Sequence, residues 1–283
     1  MLKPKLIDPI VKLALQEDIG AQDITTEPLI PKTTHIKADI EFEEAGVLCG
    51  IEVCERAFRL VNEDLRFLPV AADGEWIDPK REVAYIEGEG AAILMAERTA
   101  LNLMSHLSGI ATKTKAFVDK IKGTKAKIFE TRKTTPGLRY FEKYAVRMGG
   151  GSNHRFGLYD QVLIKDNHLR ILRKDSLETV VNKVRSQSLK KTIIGIEVKN
   201  LEEVKVALGT KVNYILLDNM PVEMVEKALE LRQRAKSQME YEVSGGIHLG
   251  NVLSYAKTGI ERISIGCITH SAPAINISLD IVD

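Results

Sequence analysis

The stretch between residues 127 and 155 carries a concentrated positive charge. It holds seven basic residues against two glutamates, whereas the whole 283-residue chain has a formal net charge of only +1. The seven are Lys127, Arg132, Lys133, Arg139, Lys143, Arg147 and Arg155. Arginine matches planar carboxylates with its bidentate fork, and lysine binds phosphate as a point charge. The stretch therefore predicts a site for a ligand with several negative charges.

Three of these basic residues stand where a ligand could reach them. Arg132 and Lys133 directly follow the apolar run KIFE, and Arg155 ends the stretch GGGSNHR. Glycine has no side chain, so a ligand can approach the backbone closely there. We therefore expect Arg132, Lys133 and Arg155 to contact the anion. For the other four basic residues, a solvated helix face is the alternative.

Glu197 and Asp218 are carboxylates at the ends of two successive apolar runs, TIIGIEV and YILLD. In the same cavity as the basic residues, they would repel a bare phosphate. Mg²⁺ that bridges the carboxylates to a pyrophosphate, directly or through water, would reconcile the two kinds of charge. The alternative is that both carboxylates pair with lysines at the rim of the fold.

Glycine-containing turns follow the last two apolar runs of the same series. Ser244-Gly245-Gly246 comes at the end of YEVS, and Gly266 closes RISIG. In α/β barrels, such turns and the helix N-termini behind them offer backbone N–H groups to a phosphate. They predict a monophosphate site. His270 follows the last run and lies either at the rim of that site or in a structural position.

Polar residues also flank the run QVLIK on both sides. His154 precedes the run, Lys165 ends it and His168 follows it. Imidazole and ammonium groups can donate hydrogen bonds to an anion. We interpret these three residues as candidate ligand contacts.

The candidate residues are distributed over strand-like runs that alternate with amphipathic helical segments. The runs are KIFE, QVLIK, TIIGIEV, YILLD, YEVS and RISIG. Such alternation predicts parallel strands joined by right-handed helical crossovers. An open sheet binds ligand mainly at one switch point, whereas a barrel uses most of its strand ends. Because all these runs end in polar residues or glycine, we predict an α/β barrel, incomplete because it has six strands instead of eight.

A second domain precedes the barrel. Residues 35–88 contain short β-prone runs around a helical patch, and residues 91–121 form a long helical pattern that links the two domains. The last residues alternate apolar and polar side chains, which is typical of a strand that returns to the first domain. We predict an N-terminal α/β sandwich at residues 1–110, completed by 270–283, and a barrel at 111–269.

Composition excludes several classes of protein. A net charge of +1 gives no general attraction to nucleic acid or to an anionic membrane. No run approaches the roughly 18 apolar residues of a membrane span, and the N-terminal stretch is interrupted by charge, so we do not expect it to act as a signal peptide. Cys49, Cys54 and Cys267 lack metal-ligand spacing and are predicted to be free thiols. We expect a cytoplasmic protein.

The run ETRKTTPGLRYFEKYAVRMGGGSNHRFGLYDQVLIKDNH resembles the quinolinate phosphoribosyltransferases. The resemblance covers nearly the whole chain, through ALQEDIGAQDITT, ERTALNLMSHLSGIAT, IEVKNLEE, LLDNM, VSGGI and ISIGCITHSAPAINISLDI. It implies a type II phosphoribosyltransferase that converts quinolinate and phosphoribosyl pyrophosphate to nicotinate mononucleotide, pyrophosphate and CO₂ in NAD synthesis. It also implies an N-terminal open-faced α/β sandwich and an incomplete six- or seven-stranded α/β barrel.

The resemblance also implies roles for individual residues. Arg98 would reach the quinolinate of a partner subunit in a homodimer with shared active sites, with assembly into a hexamer left open. The quinolinate pocket would be lined by Arg132, His154, Arg155 and Lys165. Phosphoribosyl pyrophosphate would be bound by Lys133, by Glu197 and Asp218 with Mg²⁺, and at its 5′-phosphate by Ser244, Gly245, Gly246 and Gly266, with His270 close by. The catalytic residues would be Lys133, Lys165, Glu197 and Asp218.

The chain departs from the family pattern at a few positions. Gly195 stands where the family often has a further carboxylate, Cys267 replaces a usual alanine and Asn276 a usual aspartate. None of these changes removes a residue with an implied catalytic role. Gly195 leaves one acidic group fewer near the predicted metal.

Two other functions remain as alternatives. A paralogue of the same fold could act on nicotinate or serve a molybdate-transport operon, although such proteins are not expected to keep NHR followed by LIKDNH. A non-enzymatic binder of phosphate or nucleic acid belongs to a different class. The acidic residues Glu197 and Asp218, together with an aromatic content of 5%, argue against a nucleic-acid groove.

Overall fold

The computed structural model describes residues 2–172 and 174–282. Its strands are β1 (His35–Phe42), β2 (Gly46–Val47), β3 (Arg66–Pro69), β4 (Trp76–Ile77), β5 (Arg81–Glu89), β6 (Lys127–Phe129), β7 (Val162–Ile164), β8 (Ile194–Val198), β9 (Tyr214–Asp218), β10 (Glu240–Ser244), β11 (Arg262–Ser264) and β12 (Ile277–Val282). Its helices are α1 (Pro4–Ile19), α2 (Thr26–Leu29), α3 (Ile51–Val61), α4 (Gly90–Lys120), α5 (Arg139–Met148), α6 (Asp166–Ile171), α7 (Leu177–Gln187), α8 (Leu201–Leu208), α9 (Val222–Arg234), α10 (Val252–Lys257) and α11 (Cys267–His270).

The chain divides into two compact units. The sandwich unit comprises Met1–Lys115, Thr134–Gly150 and Ile268–Asp283, and the barrel unit comprises Ala116–Lys133 and Gly151–Cys267. The sequence-based boundaries differ from this division mainly in placing residues 134–150 in the barrel domain. The terminal residues 1 and 283 of the predicted N-terminal domain lie outside the described residues.

In the sandwich unit, an antiparallel sheet contains β12, β1, β5 and β3 in that order. Along β1, Ala38, Ile40 and Phe42 are buried, while the residues between them are partly exposed. This period of two is that of a sheet with one covered face and one open face. The predicted open-faced sandwich is confirmed. The C-terminal strand β12 pairs with β1 in this sheet, from Phe42–Ile277 to Lys37–Val282.

Helix α1 buries Ile7, Val11 and Leu15, which recur every four residues on one face. Its Pro4 lies in the first turn, where a missing N–H costs nothing. The guanidinium of Arg56 on α3 donates to both carboxylate oxygens of Asp8 on α1, at 3.0 and 2.7 Å. This bidentate pair connects the two helices.

Helix α4 continues through Gly109, although glycine weakens the interior of a helix. A Cβ atom at this position would lie only 1.9 Å from the carbonyl oxygen of Pro273. The C-terminal segment therefore approaches so closely that only glycine fits at this position, even though it destabilises the helix.

Residues 134–150 join the sandwich unit through two partly buried polar contacts of α5. Glu142 is fully buried and lies 3.0 Å from His106 Nε2 on α4. The Tyr144 hydroxyl donates to Asp73 at 2.7 Å. Neither contact produces a periodic pattern in the sequence from which it could be predicted.

The barrel unit contains a parallel sheet with the order β7, β8, β9, β10, β11 and β6. Each predicted run is a strand of this sheet. Within the described residues, β6 and β7 do not pair, and β6 meets Ser152 through a single bridge at Phe129. The sheet is therefore an incomplete α/β barrel, as predicted. Among the described helices, none is both long and apolar enough to cross a membrane.

Candidate active site

Parallel strands bring their carboxyl ends to one edge of the sheet, which we call the barrel mouth: the ends of β6 to β11 and the residues that follow them. Lys165 follows β7, Glu197 lies near the end of β8 and Asp218 ends β9. Ser244 ends β10. The structure thus brings these predicted residues to the same edge, where barrel enzymes place their catalytic groups.

Arg132 and Arg155 are neighbouring positive charges in the barrel unit. Arg155 is buried, and one of its terminal nitrogens donates to the Gln161 carbonyl at 3.1 Å. Burial lowers the pKa of Arg155, and the positive charge of Arg132 lowers it further. The Nε of Arg132 is buried and has no hydrogen-bond partner among the described residues. A second guanidinium beside this unpartnered donor of Arg132 favours the binding of an anion here.

His154 precedes Arg155 in the chain, and both of its ring nitrogens have polar partners. Its Nδ1 accepts the backbone N–H of Arg155 at 2.7 Å, and its Nε2 lies 3.2 Å from Glu242 Oε1. The first contact requires an unprotonated Nδ1, so we assign the proton to Nε2. Glu130 accepts the backbone N–H of His154 at 3.1 Å. The structure therefore gives His154 a supporting position instead of a free nitrogen.

Glu242 is fully buried inside the barrel. Burial would raise its pKa, but the hydrogen bond from His154 and the positive charge of Arg262 outweigh this and lower the pKa below its ordinary value. Ser264 also donates to Glu242, at 2.6 Å. Glu242 and Arg262 were not among the residues predicted from the sequence; the available signal was one charged residue within each of the strand-like runs YEVS and RISIG.

Lys165 and Glu197 form an ion pair on neighbouring strands, with Nζ and Oε2 3.0 Å apart. Glu197 is buried, whereas the Lys165 side chain is 46% exposed and able to turn toward a ligand. His168, predicted as a ligand contact, accepts the backbone N–H of Lys165 at its Nδ1 at 2.8 Å. It thereby fixes the backbone from which Lys165 extends.

A second ion pair lies at the exposed rim of the mouth. Lys199 donates to Asp166 at 2.6 Å, and this hydrogen bond raises the pKa of Lys199 and lowers that of Asp166. The negative charges of Asp218 and Glu197 add to the rise for Lys199. Lys199 therefore lies within the electrostatic reach of both predicted metal-binding carboxylates.

The turn after β10 has the backbone that the predicted phosphate site needs. Gly245 and Gly246 have φ angles of +96° and +65°, in the left-handed region that favours glycine. A Cβ atom on Gly245 would lie 2.3 Å from Asn219 Oδ1. Asn251 Nδ2 donates to the Gly246 carbonyl at 3.0 Å and holds the turn. Gly266 lies just after β11, at the same edge as this turn.

The remaining candidates are exposed. Lys133 is exposed, and its backbone N–H donates to Thr131 Oγ1 at 3.1 Å. Arg98 and His270 belong to the sandwich unit. Arg98 is exposed and lies 3.3 Å from Glu97, and His270 Nδ1 lies 2.6 Å from Ser271 Oγ.

Within the described residues, no group of three or more His, Cys, Asp or Glu side chains is arranged to hold a metal ion. Glu197 and Asp218 lie on the paired strands β8 and β9 and offer two carboxylates. Mg²⁺ commonly takes one or two protein carboxylates and completes its shell with water and substrate phosphates. The donor set fits that mode and does not fit an all-protein metal cage.

Gly195 is explained by the side chain beside it. A Cβ atom on Gly195 would lie 2.1 Å from Cζ of the Tyr214 ring, on the paired strand. Tyr214 is buried, and its hydroxyl has no hydrogen-bond partner within the described part of the chain. The aromatic ring therefore occupies the space that a side chain at position 195 would need.

Comparisons with known proteins agree over the full chain. The family models described as quinolinate phosphoribosyl transferase, N-terminal and C-terminal domains, match residues 23–108 and 110–280. A probable nicotinate-nucleotide pyrophosphorylase (carboxylating) of Methanothermobacter thermautotrophicus is 40% identical over 276 residues, which cover 96% of this chain and 98% of the relative. The Mycobacterium leprae nicotinate-nucleotide pyrophosphorylase (carboxylating) is 39% identical, with 96% and 95% covered.

Solved structures show the same similarity. The crystal structure of NadC from Streptococcus pyogenes superimposes with a TM-score of 0.94 at 36% identity and covers 100% of this chain and 99% of that one. The nicotinate-nucleotide pyrophosphorylase of Francisella tularensis gives a TM-score of 0.93 at 33% identity, with 100% and 98% covered. Human nicotinic acid phosphoribosyltransferase, at 11% identity and a TM-score of 0.60, shares the fold alone.

Proposed function

The chain belongs to the quinolinate phosphoribosyltransferase family, and we propose that its barrel mouth is the site of the family's reaction. The protein is a carboxylating nicotinate-nucleotide pyrophosphorylase of NAD synthesis. It joins quinolinate to phosphoribosyl pyrophosphate and releases pyrophosphate and CO₂, with nicotinate mononucleotide as the product.

The observation that carries the assignment of the site is the pair formed by Arg132 and Arg155. Their like charges lie close enough to lower the pKa of Arg155, and a buried donor of Arg132 has no partner among the described residues. Quinolinate presents two adjacent carboxylates, which can neutralise both guanidinium groups. Lys165, 46% exposed at the same edge, supplies a third positive charge. His154 supports this pocket through the backbone of Arg155.

The chain's residues act mainly by positioning and electrostatics. Departure of pyrophosphate from C1 of the ribose develops positive charge on the sugar, which Glu197 and Asp218 favour. Negative charge grows on the leaving group, where Lys133 favours it. The pyridine nitrogen forms the new bond to C1. The ring then becomes cationic and stabilises the electron pair left at C2 when CO₂ departs, and a proton replaces the carboxylate.

Mg²⁺ belongs to this proposal, with Glu197 and Asp218 as the residues that would hold it. When bound with the diphosphate, directly or through water, it neutralises charge on the leaving group. The turns at Ser244–Gly246 and Gly266 would direct backbone N–H groups at the 5′-phosphate. His270 is proposed to lie close to that phosphate.

We further propose a homodimer in which Arg98 of the partner subunit completes the quinolinate site. Two observations support this proposal. The Arg98 side chain is exposed on α4, and its ion pair with the adjacent Glu97 is long, at 3.3 Å. Mixing the Arg98→Ala and Arg132→Ala proteins tests this, because a mixed dimer keeps one intact site. Recovery of activity on mixing is expected; no recovery after subunit exchange would contradict shared sites. Sedimentation would distinguish the dimer from a hexamer built as a trimer of dimers.

A cytoplasmic location is part of the proposal. Cys49, Cys54 and Cys267 are all free thiols, which is usual in a reducing compartment.

The function is tested by incubating the protein with quinolinate, phosphoribosyl pyrophosphate and Mg²⁺. Nicotinate mononucleotide, pyrophosphate and CO₂ should form in equal amounts, and nicotinate should not replace quinolinate. Arg132→Ala should abolish turnover, whereas Arg234→Ala, at an exposed arginine of α9, should retain it. Turnover of nicotinate instead, or salt-dependent binding of single-stranded nucleic acid without turnover, would contradict the assignment.

A further inference from the structure

We propose that Glu242 is a positioning residue that holds Arg155 in place for quinolinate through the ring of His154. This inference rests on the proposed function. It concerns a carboxylate that is 0% exposed and therefore does not touch the substrate itself.

Glu242 lies at the centre of a polar cluster inside the barrel. Its Oε1 lies 2.6 Å from Ser264 Oγ and 3.2 Å from His154 Nε2. Arg262, its neighbour across β10 and β11, places Nε 3.0 Å from Oε2, but without hydrogen-bond alignment, so the attraction is that of the two charges. One carboxylate thus connects β10, β11 and the segment that carries Arg155.

Aromatic rings enclose this cluster. The Arg262 guanidinium lies 4.3 Å from the centre of the Phe129 ring and 4.8 Å from that of Tyr214. The Tyr214 ring in turn meets His154 edge to face, with centres 6.2 Å apart. In such an enclosed site water competes poorly, so the carboxylate fixes the imidazole more firmly than it would at a surface.

The fixed imidazole explains how Arg155 keeps its place. The guanidinium of Arg155 has a like-charged neighbour in Arg132 and one recorded acceptor, the neutral carbonyl of Gln161. Repulsion between the arginines would favour movement of Arg155 before a dianion arrives. The bond from the Arg155 N–H to His154 Nδ1 opposes that movement, and it requires the tautomer that Glu242 selects at Nε2.

The phosphate-binding turns do not depend on Glu242 in the same way. Ser264 pairs in the sheet with Ser244 and Phe129, and the N–H of Ile265 donates to the Phe129 carbonyl at 2.9 Å. The backbone that leads to Gly266 is therefore held by the sheet. Removing the charge of Glu242 should affect the quinolinate side of the site selectively.

Glu242→Gln tests the inference. The amide has nearly the same shape, but its NH₂ group must face a donor, either His154 or Arg262. We expect the KM for quinolinate to rise about tenfold or more, a size typical of lost support behind a ligand-binding residue, with less than about a twofold change for phosphoribosyl pyrophosphate. The matched control is Glu240→Gln on the same strand, a 59%-exposed carboxylate 3.6 Å from Arg262, which should change neither constant.

Equal increases in both KM values, or an unchanged KM for quinolinate, would overturn the inference. If Glu242→Gln does not fold, His154→Phe carries the test by removing the same link at its other end, and it should show the same selective rise. Where both fold, the double variant should be no worse than His154→Phe alone, because the effect passes through the imidazole. Absence of product from the unaltered enzyme would instead refute the proposed function, so the two failures are distinguishable.

Discussion

The two ends of the barrel differ in how their charged side chains are paired. At the barrel foot, the amino-terminal edge of its strands, Glu261 accepts hydrogen bonds from Lys125 and Arg232 at 2.8 Å each and from the Tyr241 N–H at 3.1 Å. At the mouth, Arg132 and Arg155 face each other's positive charge, and a buried donor of Arg132 has no partner within the described residues. The foot is electrostatically complete without a ligand, whereas the mouth is complete only with one.

This difference separates stability from function along one sheet. Charges that are paired within the protein lower the free energy of the folded chain. Charges without a protein partner favour the binding of a ligand of opposite charge. Substitutions at the foot should therefore change unfolding and leave catalysis intact. Substitutions at the mouth should do the reverse.

The largest effect is expected for Arg155→Lys at the mouth. An ammonium group keeps the charge but loses the planar fork that matches a carboxylate. We expect kcat/KM for quinolinate to fall about 100-fold, the cost of removing a buried anion donor, with little change in Tm. Steady-state kinetics and thermal unfolding measure the two, and Arg234→Lys at an exposed site is the control. Unaltered kcat/KM would place the carboxylate site elsewhere.

Glu261→Gln should have the next largest effect, on stability. Burial raises the pKa of Glu261, but hydrogen bonds from Arg232, Lys125 and the Tyr241 N–H lower it to about 2, from an ordinary value of 4.5. The folded state thus binds this proton more weakly than the unfolded state. The resulting stabilisation is complete above about pH 5 and is lost as the pH falls toward 2.

At pH 7, Glu261→Gln should lower the free energy of unfolding by about 2 kcal/mol, with kcat unchanged. The difference from the unaltered protein should shrink as the pH falls, and denaturant titrations from pH 7 to pH 3 measure it. A difference that stays constant with pH would show that the carboxylate does not act through its charge.

Gly245→Ala should affect the phosphate turn. The left-handed backbone strains any Cβ, and this one would also meet Asn219 at 2.3 Å. We expect the KM for phosphoribosyl pyrophosphate to rise about tenfold, corresponding to about 1.4 kcal/mol, because the backbone N–H groups move. Gly123→Ala is the matched control, because Gly123 also has a left-handed backbone, with φ +84°, but open space around the new Cβ. It separates the effect of backbone strain from the effect of the clash with a neighbouring side chain. Equal kinetics for both variants would argue against a phosphate role for the turn.

The contrast between mouth and foot also explains what the sequence could predict. The barrel strands and most residues of the mouth could be predicted from the sequence. Each apolar run ends in charged residues, polar residues or glycine, and this pattern marks both the end of the strand and the edge of the sheet. Glu242 and Arg262 could not be predicted in this way, because a charged residue in a strand is normally interpreted as facing solvent. The burial of Glu242 and its contact with Arg262 depend on the pairing of β10 with β11, which only the tertiary structure supplies. The same holds for α5, which joins the sandwich unit through Glu142 and Tyr144.

The smallest effect is expected at the exposed rim of the mouth, for Lys199→Ala. Lys199 lies within the electrostatic reach of Glu197 and Asp218 and pairs with Asp166 at 2.6 Å. Its removal should leave Tm unchanged, because exposed ion pairs contribute little to stability. It should lower the Mg²⁺ concentration for half-maximal activity by about twofold, since the two carboxylates lose a competing cation, and added salt should abolish the difference. A higher Mg²⁺ requirement in Lys199→Ala would mean that Lys199 itself binds the diphosphate. One of the exposed ion pairs at the rim would then contain a lysine that binds the substrate.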